Sequence, residues 1–413
     1  MSFGKRSISI LLVVFFVITV VGGPVIAPVY AQEPGIVGKA GVLIDARSGQ
    51  VLYAKNPDLR LPPASTTKIL TVAIALEEGN VNDKVTVSKN AVTQEGSSIY
   101  LTAGETLTLE DLLYGVLLSS GNDAAVAVAE HIAGSVPAFV KLMNKKAKEW
   151  GATNSNFCNP NGLPNDEHYT TARDLAMIAK HAMELPLFRE MAATKVKEIK
   201  RADPANFFRL INHNKLLWRY EGANGIKTGY TRVAQQCLVS SAKRGDQEFI
   251  AVVLGSVGNN IWTDSMALLD YGFKNFRTTK LVEKGKFIQE ISVKDGTGKV
   301  RVVTEREQYF TGKLADNDVP KAKTIIFKGL AAPIKKGQKV GYITYNFDDK
   351  EIGRVYLVAA NAVDKKVMVK RHPWILPVAG ITLCLGFVIT WNRKRALRRY
   401  RKGFNHFYRG PIR

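Results

Sequence analysis

Pro63-Ala64-Ser65-Thr66-Thr67-Lys68-Ile69-Leu70-Thr71-Val72-Ala73-Ile74-Ala75-Leu76-Glu77-Glu78-Gly79-Asn80 is the stretch on which the fold turns. Pro62 and Pro63 lead into it, Ile69 to Glu78 is apolar and alanine-rich, and Gly79-Asn80 is a helix stop, so a helix is expected with Lys68 near its start. A lysine three residues after a serine projects from the same helical face, within reach of the hydroxyl. For Lys68 to accept a proton from Ser65 it must be neutral, which requires desolvation or a neighbouring positive charge. The helix N-terminus adds positive potential beside the serine N–H. Alone, S-x-x-K arises by chance about once or twice in a chain this long, and a solvated serine at a helix start is its ordinary meaning.

Working outward, Ala40 to Asp45 and Gln50 to Tyr53 read as an opening hairpin around the turn Ala46-Arg47-Ser48-Gly49. Thr108-Leu109-Glu110-Asp111 resembles a capping box for a helix through Leu118, and Ala124 to Ala133, Phe139 to Trp150 and Thr171 to Met183 read as further helices. From Gly225 the pattern turns to strands: Gly225 to Thr231, Gln236 to Ala242 and Phe249 to Leu254. Strands at both ends with helices between them predict one α/β (α+β) domain, residues 36–276, whose antiparallel sheet joins its N- and C-terminal parts. Residues 279–364 alternate short β runs with Gly and Asp turns and predict a small all-β domain, with no catalytic constellation and no internal repeat.

Two more short segments bear on Ser65. Ser120-Gly121-Asn122 falls in a tight loop between helices and offers a hydroxyl and an amide to Lys68 and a bound peptide. Lys227-Thr228-Gly229 falls on a strand and offers a cation, a hydroxyl and a glycine that admits a substrate backbone. Singly these are an ordinary turn and a strand end; all three in order, each on the element its chemistry needs, form a consistent set. Ser65-Thr66-Thr67-Lys68, Ser120-Gly121-Asn122 and Lys227-Thr228-Gly229 resemble the S-x-x-K, S-x-N and K-T-G motifs of penicillin-binding proteins. The chain is more narrowly similar to the low-molecular-mass D-alanyl-D-alanine carboxypeptidases. Context that matches includes Pro63-Ala64, Asp111-Leu112-Leu113-Tyr114, Asn159-Pro160-Asn161-Gly162-Leu163, and Gly229-Tyr230-Thr231 through Cys237-Leu238.

The resemblance implies a penicillin-binding/serine β-lactamase-like fold with a helical subdomain, a peptidoglycan stem peptide as substrate and β-lactams as inhibitors. It casts Ser65 as nucleophile, Lys68 as base and Ser120 as proton relay to the leaving amine. Asn122 would hold the peptide and Lys68, Lys227 would keep positive potential beside them, and Thr228 would bind the terminal carboxylate. The N–H groups of Ser65 and Tyr230 would form the oxyanion hole, and Gly229 would let the substrate backbone approach closely. No cofactor is implied, and neither an H-E-x-x-H motif nor a Cys/His ligand pair points to a metal. His168 reads as a packing residue. A class A β-lactamase is a rival, but no E-x-x-L-N segment stands between the last two motifs. Endopeptidase and transpeptidase outcomes share the acyl-enzyme and stay open, as does a β-lactam sensor with little turnover.

The ends of the chain bear on location. Lys5 and Arg6, an apolar run from Ile8 to Val21 and Val29-Tyr30-Ala31 form a secretory signal, residues 1–31, with an uncleaved anchor helix as the alternative. Trp374 to Trp391 is uncharged and mostly apolar and predicts a membrane-spanning helix, with Pro377 near its start. Relatives often end instead in an amphipathic helix lying on the membrane, but this segment has no polar face. The nine basic residues in 392–413 place that tail in the cytoplasm and the body outside; the topological reading is preferred to nucleic-acid binding because the charges abut the apolar run. The net charge of +22, less these nine and the two of the leader, leaves +11, which suits an anionic envelope. At 413 residues and 46% hydrophobic content the chain is a folded, multi-domain protein. Its three cysteines exclude a multi-bridge framework, leaving a Cys158–Cys237 bridge or, preferably, two free thiols.

Overall fold

The computed structural model describes residues 33–201, 207–314, 319–367 and 375–404. The leader 1–31, Trp374 and the end of the basic tail lie outside them. Cα packing separates two units: residues within 1–286, 304–326 and 341–357 form the first, and those within 287–303, 327–340 and 358–413 the second.

In the first unit, β1 (Ala40–Asp45) and β2 (Val51–Lys55) form the expected hairpin. A 3-10 turn, Ala64–Thr67, leads into α1 (Lys68–Glu78). Then come β3 (Lys84–Thr86), α2 (Lys89–Val92), β4 (Thr106–Thr108), α3 (Leu109–Leu117), α4 (Asn122–Ala133), α5 (Val136–Glu149), α6 (Ala172–Glu184) and α7 (Pro186–Ala193). The helical block is followed by β5 (Val196–Lys200), β6 (Phe207–Ile211) and α8 (Leu216–Arg219). Next come β7 (Ala223–Thr231), β8 (Gln235–Arg244), β9 (Gln247–Ser256) and α9 (Asn260–Asn275). Two helix starts follow their caps: Thr108 Oγ1 accepts from Asp111 N at 3.0 Å, and Thr171 Oγ1 from Asp174 N at 3.0 Å.

The five strands of the main sheet lie in the order β2-β1-β9-β8-β7, all antiparallel. The central strand β9 shows why its sequence is an unbroken apolar run: Ile250, Val252 and Leu254 face the core built on α1 and α6, while Phe249, Ala251 and Val253 face Leu268 and Leu269 of α9. A strand covered on both faces needs apolar residues at every position. Helix α1 is buried from Lys68 through Ala75, so it is the central helix of the domain. The sequence pattern assigns no element to α9 or to the β5–β6 hairpin. Both patterns are present, but polar residues interrupt them: Thr263, Asp264 and Ser265 in α9, and Lys197, Glu198 and Lys200 in β5.

Beyond α9, β10 (Phe276–Val282) pairs with β13 (Gln308–Lys313), and β14 (Lys321–Ile326) with β15 (Lys339–Phe347), in the first unit. In the second, β11 (Phe287–Ser292) pairs with β12 (Lys299–Thr304). A last strand, β16, spans Lys350–Ala359. The expected all-β character of this region holds strand by strand. The C-terminal segment is helical but corrects the expected limits: α10 runs Ile375–Phe404, through Trp391 and on into the basic residues, because Arg393 to Lys402 contains no helix breaker. Among the described residues no single helix is long and apolar enough to cross a membrane.

Candidate active site

Ser65 sits in the 3-10 turn one step ahead of α1, and Lys68 is the first residue of α1, so the serine precedes the helix that the sequence places it on. Ala64, just before Ser65, is held at φ +49, and Ser120 at φ +62; both are left-handed conformations that L-residues avoid. Such strain persists only where the surroundings enforce it, and it tends to mark functional positions.

Lys68 is completely buried. Its Nζ lies 2.9 Å from Ser65 Oγ, 2.7 Å from Asn122 Oδ1 and 2.6 Å from the Asn161 carbonyl oxygen. Burial is the main force holding its pKa well below the usual lysine range; the Lys227 charge lowers it further and Asp123 opposes them. A neutral amine has two protons and one lone pair. Donating to Asn122 Oδ1 and the Asn161 carbonyl leaves the lone pair for the Ser65 hydroxyl proton, the arrangement a general base requires.

Three segments hold these partners. Asn122 N donates to Ser97 O at 2.7 Å, and its side-chain amide donates to Glu95 O, which fixes Oδ1 toward Lys68. Asp123, also buried, accepts from Ser98 Oγ at 2.6 Å, Ile99 N at 3.1 Å and Leu101 N at 3.1 Å, tying the 97–101 loop to α4. The Asn161 carbonyl is presented by a turn in which Asn159 Oδ1 accepts from Gly162 N at 2.7 Å and Asn161 Oδ1 from Leu163 N at 3.1 Å. Gly162 has φ +82, and a Cβ there would fall 1.9 Å from Ala64 O. Only glycine lets this loop lie against the nucleophile turn.

On β7 the side chains alternate. Thr228 and Tyr230 face the cleft, while Lys227 is buried and a Cβ on Gly229 would fall 2.9 Å from Ser65 N. Gly229 therefore allows the strand to approach the nucleophile turn. Burial alone lowers Lys227 to about 7; its Nζ donates to Thr228 O at 3.3 Å. Ser65, Ser120, Thr228, Gly229 and Tyr230 line one cavity of about 460 Å³, whose other walls include Ser97, His213, Lys215 and Trp262. The expected site residues therefore converge: five line the cavity, Lys68 and Asn122 bond beneath Ser65, and Lys227 acts on Lys68 through its charge.

His168 takes the packing place expected of it. Its Nδ1 accepts from Cys158 N at 3.2 Å, so Nε2 carries the proton 3.0 Å from Thr67 Oγ1, and burial lowers its pKa to about 4. Cys158 and Cys237 are free thiols. The Asn161 carbonyl, Asp123, His213 and Lys215 are not anticipated from the sequence; the signal for the first is the Asn-Gly turn Asn161-Gly162.

The sign of one electrostatic effect is testable. The Lys227 charge disfavours protonated Lys68, so Lys227→Ala raises the Lys68 pKa. The rate of acylation by penicillin, followed against pH, is then expected to have its ascending limb displaced to higher pH. An unmoved or lower limb contradicts the coupling.

A buried lysine with a lowered pKa, bonded to a serine that follows the strained Ala64, in a cleft walled by a strand and an interhelical loop, defines a serine acyl-transfer hydrolase of the penicillin-binding fold. The family model described as D-alanyl-D-alanine carboxypeptidase matches residues 27–258, and that of the penicillin-binding protein 5 C-terminal domain matches 276–365. The chain belongs to the D-alanyl-D-alanine carboxypeptidase family. It is 37% identical over 335 residues to D-alanyl-D-alanine carboxypeptidase DacF of Bacillus subtilis, covering 79% of this chain and 86% of that one. With DacA of Haemophilus influenzae the identity is 36% over 370 residues, covering 84% and 91%. Among solved structures, penicillin binding protein 5 from Haemophilus influenzae superposes with a TM-score of 0.69 at 35% identity, over 81% of this chain and 100% of that one. The Streptomyces K15 DD-transpeptidase superposes with a TM-score of 0.56 at 34% identity, over 59% and 100%.

Proposed function

We propose that this enzyme removes the terminal D-alanine from peptidoglycan stem peptides through an acyl-enzyme on Ser65. The observation that carries the reading is the Lys68 amine, buried and held at once by Ser65 Oγ, Asn122 Oδ1 and the Asn161 carbonyl. Lys68 takes the Ser65 proton as Oγ attacks the carbonyl carbon of the penultimate D-alanine. The N–H groups of Ser65 and Tyr230 stabilise the oxyanion, a role supported by the close approach of Gly229 to Ser65 N. As the C–N bond breaks, the proton passes from Lys68 through Ser120 to the leaving amine, and Thr228 holds the departing carboxylate. Lys68, neutral again, takes a proton from water, which attacks the ester and frees Ser65 and the shortened peptide. Asn122 positions both Lys68 and the peptide. A β-lactam acylates Ser65 by the same route, but its amine stays tethered. Lys68, bonded to Ser65 Oγ, serves both half-reactions.

Purified protein given a synthetic stem pentapeptide is expected to release free D-alanine. Penicillin binding without D-alanine release would favour the sensor reading, and release of peptide from cross-linked dimers alone would favour the endopeptidase.

The same reading places the body outside the cell membrane. It is supported by the leader sequence 1–31, and by α10, on which Ile381, Leu383, Leu385, Phe387, Val388 and Ile389 are all exposed ahead of the basic residues. Full-length chain is expected to float with phospholipid vesicles and a chain ending at Asp364 to stay in solution; equal behaviour of the two contradicts the anchor.

A further inference from the structure

The cavity that holds Ser65, Ser120 and Thr228 is also lined by His213, Lys215 and Trp262, which the proposed chemistry does not use. Asn212, Asn214 and Leu216 are buried while His213 and Lys215 between them are exposed, so the segment before α8 turns every second side chain inward. The inward groups are pinned: Asn212 Nδ2 donates to Thr194 O at 3.0 Å, Asn212 Oδ1 accepts from Asn214 N at 2.9 Å, and Asn214 Oδ1 accepts from Leu216 N at 3.1 Å. His213 N donates to Leu118 O at 3.1 Å, which ties the segment to the end of α3 next to Ser120. The outward groups are therefore held at the cavity by a fixed backbone. Lys215 Nζ stands 5.7 Å from the Trp262 ring centroid, over the first turn of α9. Among the described residues no carboxylate pairs with Lys215 and none lines the cavity.

We infer that Lys215 and Trp262 form a subsite for the side chain of the leaving amino acid, selective for one that is longer than a methyl group and ends in a carboxylate. The inference rests on the carboxypeptidase reading, in which Thr228 holds the leaving residue's own carboxylate. Lys215 and Trp262 line the same cavity as Thr228, so they are available to that residue's side chain. A cavity of about 460 Å³ lies in the range that takes a drug-sized ligand, far more than one alanine fills. The Thr228 hydroxyl accounts for the leaving residue's own carboxylate, which leaves the Lys215 ammonium for a second one. His213 does not duplicate it: desolvation in the cleft wall, then Lys227 and Lys68, bring its pKa to about 4, so it is neutral near pH 7. The chemical class that fits is an acidic D-amino acid, or a peptide-bearing leaving amine with a second carboxylate on its side chain.

The test compares three N-acylated peptides that end in D-Ala-D-Ala, D-Ala-D-Gln and D-Ala-D-Glu. The last two differ only in side-chain charge. Wild type is expected to release D-Glu with a kcat/KM about 5-fold above that for D-Gln at low salt, the scale of one exposed charge pair, and to lose the advantage as salt rises. Lys215→Met is expected to equalise the two and Lys215→Glu to reverse them, while Trp262→Ala lowers both relative to D-Ala. A wild type that releases D-Ala but shows no preference for D-Glu overturns the subsite. So does a Lys215→Met protein that labels fully with penicillin and keeps the preference. A wild type that releases none of the three overturns the carboxypeptidase reading, and the subsite with it.

Discussion

Lys68→Met lowers acylation by penicillin and release of D-alanine by about 10,000-fold, the upper range for loss of a general base. Methionine nearly matches lysine in shape and needs no charge, so a folded protein is expected. What disappears is the lone pair 2.9 Å from Ser65 Oγ. In wild type the same group sets the pH dependence. Protonated Lys68 cannot accept the serine proton, so the rate rises with pH as Lys68 deprotonates. Its pKa lies well below the usual 10.5, so the rise is complete well short of that value. Stopped-flow acylation with a chromogenic β-lactam from pH 5 to 10 measures both effects. A Lys68→Met protein with rates within 10-fold of wild type would remove Lys68 from its role.

Gly162→Ala has the next largest expected effect, although residue 162 donates no side-chain group to the chemistry. An alanine Cβ would fall 1.9 Å from Ala64 O, and the backbone sits at φ +82. Left-handed strain and overpacking together cost about 2–4 kcal/mol of stability. The loop and the nucleophile turn must move apart, which displaces the Asn161 carbonyl from Lys68, and a shift of that kind costs about 100-fold in acylation. Gly134→Ala supplies the control: its φ is +76 with nothing within 4 Å, so it bears the strain alone and leaves acylation unchanged. Thermal melts and acylation rates of the two variants separate strain from displacement. Equal acylation in both would show that the Gly162 contact does not position the site.

Ser65, Lys68, Ser120, Asn122 and Lys227-Thr228-Gly229 are legible in the sequence because each acts through a side chain, or the lack of one, at a fixed spacing. The Asn161 carbonyl is a main-chain atom, and the amino-acid type at 161 does not announce which way its carbonyl points. Gly162 reads as a turn residue; only the fold shows that the turn lies on Ala64. His213 and Lys215 reach the cavity through the buried asparagines between and beside them, a long-range arrangement that no local pattern encodes. The fold divides similarly. Strand β9 is readable from its apolar run, whereas α9 covers the other face of the sheet with only Ile261, Leu268 and Leu269 as fully buried large apolar side chains. At the far end, composition marks Trp374 to Trp391 as apolar, but it does not reveal that the helix continues through the arginines.

The most direct test of the central claim is intact-mass analysis of the protein after exposure to a labelled penicillin, with peptide mapping of any adduct, on wild type and Ser65→Ala. The account predicts one adduct per wild-type chain, carried by Ser65, and none on Ser65→Ala. A stoichiometric adduct on Ser65→Ala, or a wild-type adduct that maps to another residue, contradicts it.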